Sequence, residues 1–119
     1  MLEMVRRNIL PAAARYTERL SQGATFKKQL NSQVCCAMEE EIVTKLSNLS
    51  GAAYRGCAAM EDALAEVAAR EEPLAQGEGY RDEILPRMAE IRSLVDQMEA
   101  LCDEEIWPLP SYGRLLFYV

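Results

Sequence analysis

Apolar residues recur along this chain at steps of three and four. Leu2, Val5, Ile9, Ala12, Tyr16 and Leu20 form the first stripe, which is the spacing of one face of an α-helix. Arg6, Arg7, Arg15 and Arg19 fall mostly off it. This predicts a first helix over about residues 2–21, with Gly23 placed to end it. Pro11 lacks an amide hydrogen and crowds the carbonyl four residues earlier, so a kink or a separate first turn is expected there. Thr25 is a candidate cap for the next helix, with Asn31 and Ser32 as later options. The second stripe is Val34, Met38, Ile42, Leu46, Leu49, Ala53, Cys57, Met60, Leu64 and Val67. It predicts one long helix over about residues 27–70 that runs through Ser50-Gly51. One helical glycine costs only about 1 kcal/mol relative to alanine. A break at that pair, giving four helices, is the alternative. Gln76-Gly77-Glu78-Gly79 reads as a loop. The third stripe, Ile84, Met88, Ile91, Val95, Met98 and Cys102, predicts a helix over about residues 82–105, with Pro86 in its opening turns and Pro108 and Pro110 beyond its end.

The predicted fold class is therefore all-α, an elongated antiparallel bundle of three helices forming a single domain over residues 1–119. The long helix would span about 60 Å at 1.5 Å per residue. A short connection folds the third helix back along it, with a seam of Leu, Ile, Met and Val. The first helix covers the stretch that the third leaves open. So small a core gives marginal stability, which points to further burial against a larger body or a second copy.

The tail over residues 106–119 differs in kind. Trp107 to Val119 hold the only Trp, two of the five Tyr and one of the two Phe. Left free, such a segment exposes more apolar surface than soluble monomers carry. Trp107, Pro108, Tyr112, Leu115, Leu116 and Phe117 are thus the candidate packing residues.

Composition narrows the chemistry. Of 119 residues, 50% are hydrophobic, 27% are charged and none is histidine. The mix is that of a globular chain. Without imidazole the commonest general base and metal ligand are missing, as is every Ser-His or Cys-His pair. A net charge of −6 argues against nucleic acid as a partner. Basic groups dominate residues 1–35 and acidic groups the rest, an asymmetry read first as solvated faces and second as complementary surfaces. No uncharged run approaches the length of a membrane span, and no signal peptide opens the chain, so a cytoplasmic location is expected. Cys35, Cys36, Cys57 and Cys102 lack C-x-x-C spacing and read as reduced thiols. Of the adjacent Cys35 and Cys36, at most one can face a core. Glu39-Glu40-Glu41 and Asp103-Glu104-Glu105 read as solvated faces, because consecutive helical residues diverge. The Met stripe (Met38, Met60, Met88, Met98) reads as core filler. No phosphate-cradling glycine motif occurs. No catalytic, cofactor-binding or metal-binding residue is assigned.

Two segments carry a resemblance. Tyr80-Arg81-Asp82-Glu83-Ile84, Met88, Ile91-Arg92, Val95-Asp96 and Met98-Glu99, running on to Trp107-Pro108-Leu109-Pro110-Ser111-Tyr112-Gly113-Arg114-Leu115-Leu116-Phe117, resemble the extreme C-terminus of type III glutamine synthetases. Met4, Ile9-Leu10-Pro11-Ala12, Tyr16 and Leu20 are similar to the point where that family's chain leaves its catalytic domain. The resemblance implies an excised, non-catalytic C-terminal helical domain with a structural, oligomerisation or regulatory role. It implies a cytoplasmic parent that ligates ammonia to glutamate with ATP and divalent metal, in double-ringed oligomers. The parent's metal, ATP and catalytic residues map to no position here. The partners it implies are the catalytic domain and neighbouring subunits. The competing expectation is a free-standing helical adaptor that takes a partner in an apolar groove.

Overall fold

The computed structural model describes residues 2–102, and these form three antiparallel helices with no strand among them. Helix α1 covers residues 2–30 in three continuous pieces: Leu2–Met4, a π-helical turn Val5–Ile9, and Leu10–Leu30. Helix α2 is Ala37–Ala68. Helix α3 covers residues 73–101 as Pro73–Gly79, a π-helical turn Tyr80–Ile84, and Leu85–Leu101. The molecule measures 65 × 33 × 19 Å. Helix α2 is its shared wall, with α1 along one side and α3 along another. Ion pairs fix the α1 register: Arg6 meets Glu61 at 2.7 Å and Lys27 meets Glu39 at 2.6 Å. The core lies where all three helices overlap, around Ile9, Leu46, Ala53, Cys57, Ile91 and Met98.

Each helix boundary has a local cause, and several differ from the expectation. The first helix runs past Ser21 to Leu30, and Gly23 does not take the left-handed conformation of a terminator. Ion pairs from Lys27 and Lys28 to Glu39 and Glu40 tie this last stretch to α2. It ends at Asn31, whose side-chain oxygen accepts the Gln33 amide at 3.0 Å, a local turn that competes with helix. Residues 27–30 thus belong to α1, and the long helix starts at Ala37 rather than near 27. It crosses Ser50-Gly51 unbroken, so the four-helix alternative does not form. Residues 76–79 are helix rather than loop, because Pro73 opens α3. Glu72 before it is extended (φ −87°, ψ 128°), as a residue preceding proline favours. Pro at the first helical position loses no bond. The described part of α3 ends at Leu101, while the tail over 106–119 and the candidate residues within it lie outside the described residues.

The prolines do not simply kink the helices. The Leu10 amide reaches the Val5 carbonyl and the Leu85 amide reaches the Tyr80 carbonyl, each a five-residue step. The turn takes in one extra residue just before Pro11 and Pro86, where the ring forbids the ordinary bond. The two sites share one frame, Arg-x-x-Ile-Leu-Pro, at Arg6 to Pro11 and Arg81 to Pro86. Its isoleucine, Ile9 or Ile84, is buried both times.

Candidate functional site

Two polar corners and two apolar ends are the features that the described surface offers. The first corner joins the end of α1 to the start of α2. Lys27 Nζ donates to Glu39 Oε1 at 2.6 Å, and Lys28 Nζ donates to Glu40 Oε1 at 2.8 Å. Glu39 is buried, so it departs from the solvated face expected of the 39–41 run. Glu40 and Glu41 stay exposed, the latter paired with Lys45. A cleft of about 240 Å³ beside them is lined by Leu20, Ala24, Thr25, Lys28, Glu40 and Val43 among others.

The Lys27 ammonium, with a further bond from backbone amide, holds the Glu39 carboxyl below its ordinary value of 4.5. A carboxylate whose folded pKa lies below its unfolded one stabilises the fold above the unfolded value. That stabilisation disappears as pH falls through the depressed value. Glu39→Gln is therefore expected to lower the urea midpoint at neutral pH, and the gap to the unsubstituted chain should narrow as pH falls below the ordinary carboxylate range. A gap that persists unchanged in acid would contradict the ion pair.

The second corner closes α2 onto α3. Arg70 donates to both oxygens of Glu66, to Glu83 Oε2 at 3.0 Å and to the Ala75 carbonyl at 3.0 Å. Gln76 donates back to the Arg70 carbonyl at 2.6 Å. One guanidinium thus engages carboxylates on both helices and a backbone oxygen in the first turn of α3, a use suited to its fixed fork of donors.

Among the described residues no group of three or more Cys, Asp or Glu is placed to hold a metal ion. No described helix is long and apolar enough to cross a membrane. Of the cysteine pair, Cys35 is exposed and Cys36 is buried, its thiol directed at the Ala24 carbonyl. Burial pushes the Cys57 thiol upward, away from the thiolate that reactivity requires. The methionine expectation holds for Met60 and Met98 but not for Met38, which is 61% exposed. Trp107, Pro108, Tyr112, Leu115, Leu116 and Phe117 lie outside the described residues. The sequence reading missed the exposed apolar residues on the helices. Phe26 and Leu30, with Met38, lie at the α1–α2 apex; Met4, Leu74, Tyr80 and Leu85 lie toward the other end. Their signal was available, since each is a large apolar residue beside a loop or a π-helical turn.

These surfaces define an all-helical module whose features are packing faces and charged clasps. In sequence it is similar, nearly end to end, to one segment of glutamine synthetase. It is 28% identical over 117 residues to a glutamine synthetase of Butyrivibrio fibrisolvens, covering 98% of this chain and 17% of that protein. It is 29% identical over 114 residues to a glutamine synthetase of Bacteroides fragilis, covering 92% of this chain and 16% of that protein. The chain thus spans about one-sixth of the length of these curated relatives. No protein-family model matches it, and no solved structure matches it.

Proposed function

We propose that this chain is the C-terminal helical domain of a type III glutamine synthetase and serves that enzyme by packing rather than by chemistry. The carrying observation is the coverage: nearly all of this chain aligns with about one-sixth of each relative. ATP-dependent ligation of ammonia to glutamate, and the ATP and divalent metal it needs, then belong to the larger remainder of the cytoplasmic parent. The partners are the catalytic domain and neighbouring subunits of an oligomer. The surface best suited to meet them is the end bearing Met4, Leu74, Tyr80 and Leu85. Arg6 pairs with Glu61 and Gly79 packs on Val67, so these four exposed apolar residues gather toward one end of α2. Exposed apolar surface is what an interaction site offers.

The full-length enzyme tests this. Leu74→Asp with Leu85→Asp, and separately removal of residues 80–119, are expected to shift the enzyme to smaller assemblies and to lower its rate in parallel. Unchanged oligomer size and rate in both would overturn the proposal. So would glutamine formation by the isolated chain.

A further inference from the structure

We infer that the apolar apex of the α1–α2 hairpin is the docking site of this chain's own residues 106–119. The inference concerns contacts within the chain and does not depend on the proposed role in glutamine synthetase.

The first reason is that α3 stops short. Its final residues Gln97, Ala100 and Leu101 lie beside Lys45, Asn48 and Leu49 of α2. Helices α1 and α2 continue past that level to Leu30 and Ala37. The stretch of α2 from Lys45 back to Ala37 adds about 12 Å at 1.5 Å per residue.

The second reason is that the faces used by the core continue onto this overhang. On α1, Val5, Ile9, Ala12 and Tyr16 are followed seven residues on, past Arg19, by Gly23, Phe26 and Leu30 on the same side of the helix. Val5, Ile9 and Ala12 are buried, and Val5 and Ile9 share one core cluster with Ile91 and Met98 of α3. Phe26 and Leu30 are 63% and 89% exposed. On α2, the face that meets α3 through Gly56 and Leu49 continues at helical spacing to Ile42 and to the exposed Met38. Along the middle of the molecule both faces belong to the core cluster that α3 shares, and at the apex no described element covers them.

The third reason selects the occupant. At Cys102 the backbone turns extended (φ −84°, ψ 152°), so the chain leaves the helix axis at the edge of the uncovered stretch. Residues 103–119 follow, and extended chain reaches about 3.3 Å per residue, several times the length of the overhang. That segment contains Trp107, Leu109, Leu115, Leu116 and Phe117, apolar side chains of the kind that would cover the exposed Phe26, Leu30 and Met38. Glu99 Oε1, in the last turn of the described part of α3, is buried without a hydrogen-bond partner. A buried carboxylate oxygen in that position is costly until a donor reaches it. The tail brings the Trp107 indole, the Tyr112 hydroxyl and the Arg114 guanidinium.

Trp107 is the only tryptophan, so its fluorescence in the full 119-residue chain reports the docking directly. The unsubstituted chain is expected to show blue-shifted emission and weak acrylamide quenching at all dilutions. Phe26→Asp with Leu30→Asp should move emission to the red and raise quenching several-fold, with helical circular dichroism retained. Met38→Asp, a single exposed change, should do the same in smaller degree and serves if the double variant loses helix. Leu74→Asp, toward the opposite end, should leave the emission unchanged. A solvent-like emission in the unsubstituted chain would overturn the inference. So would a blue shift that survives the apex variants, or one lost on dilution together with a halving of mass, which would make a second copy the occupant.

Discussion

Replacing Gly79 by alanine is expected to destabilise the chain by about 1–3 kcal/mol, the usual cost of forcing extra volume into a packed contact. Helix propensity alone predicts the reverse, a gain of about 1 kcal/mol for alanine over glycine inside a helix. The structure decides between them. A Cβ at Gly79 would sit 2.8 and 3.0 Å from the two methyl carbons of Val67 and 2.6 Å from Nη1 of Arg70. Val67 is fully buried, and a β-branched side chain in a helix has one strongly preferred rotamer. Arg70 is longer, but its bonds to Glu66, Glu83 and the Ala75 carbonyl hold it in place. Neither neighbour can withdraw at low cost, so α3 must move off α2 at the corner. Gly77 sits two residues earlier in the same helical segment, and a Cβ there meets nothing within 4 Å. Gly77→Ala is accordingly expected to stabilise by up to about 1 kcal/mol. Urea unfolding of the two variants beside the unsubstituted chain gives the comparison. Shifts of the same sign would mean that the close approach at Gly79 is not real.

Ile91→Ala is expected to cost about 2–5 kcal/mol, since it removes a buried branched side chain and leaves a cavity. Ile91 is buried within the central cluster. It fills the space left by Gly56, where an added Cβ would lie 3.3 Å from Ile91 Cγ1. Two helices come close there because one contributes no side chain and the other contributes a large one. Alanine at 91 would leave both sides small, and rigid helices collapse poorly onto such a gap. Ile91→Val, which keeps the branch, should cost only about 0.5–1.5 kcal/mol. Domains of this size have about 5–15 kcal/mol in total, so the alanine variant should show a much earlier thermal transition and the valine variant a modest shift. A loss below about 1 kcal/mol for alanine would mean that the α2–α3 seam is loosely packed.

These two glycines show why helix boundaries were only partly legible in the sequence. Gly77 and Gly79 look like loop residues, and local propensity alone favours that reading. Gly79 is helical because the α2–α3 contact selects the smallest residue, a reason that is visible only once Val67 is opposite it. Gly23 misled in the same way: it sits where a helix could stop, but α1 continues because its next two turns lie along α2. Pro11 and Pro86 predict a kink or an interrupted turn, and the structure instead carries the helix through each on a π-helical turn. The repeat of the Arg-x-x-Ile-Leu-Pro frame is visible in the sequence, while the π-helical turn on it came with the structure. The 39–41 run shows the converse limit. Nothing in three successive glutamates says which one will be buried, and only the position of Lys27 on the neighbouring helix selects Glu39.

Periodicity of three and four with few strand-forming runs was enough to set the class of the fold, the number of helices and the continuity of the long one through Gly51. These follow from local spacing, because a helix buries whatever lies on one side of it. The similarity to glutamine synthetase likewise rests on residue identity alone. Register, the placement of α1 and α3 on different sides of α2, the pairing of Lys27 with the buried Glu39 and the two apolar ends came only with the tertiary structure. They depend on which side chains meet between residues far apart in the chain, and intrahelical spacing holds no record of that.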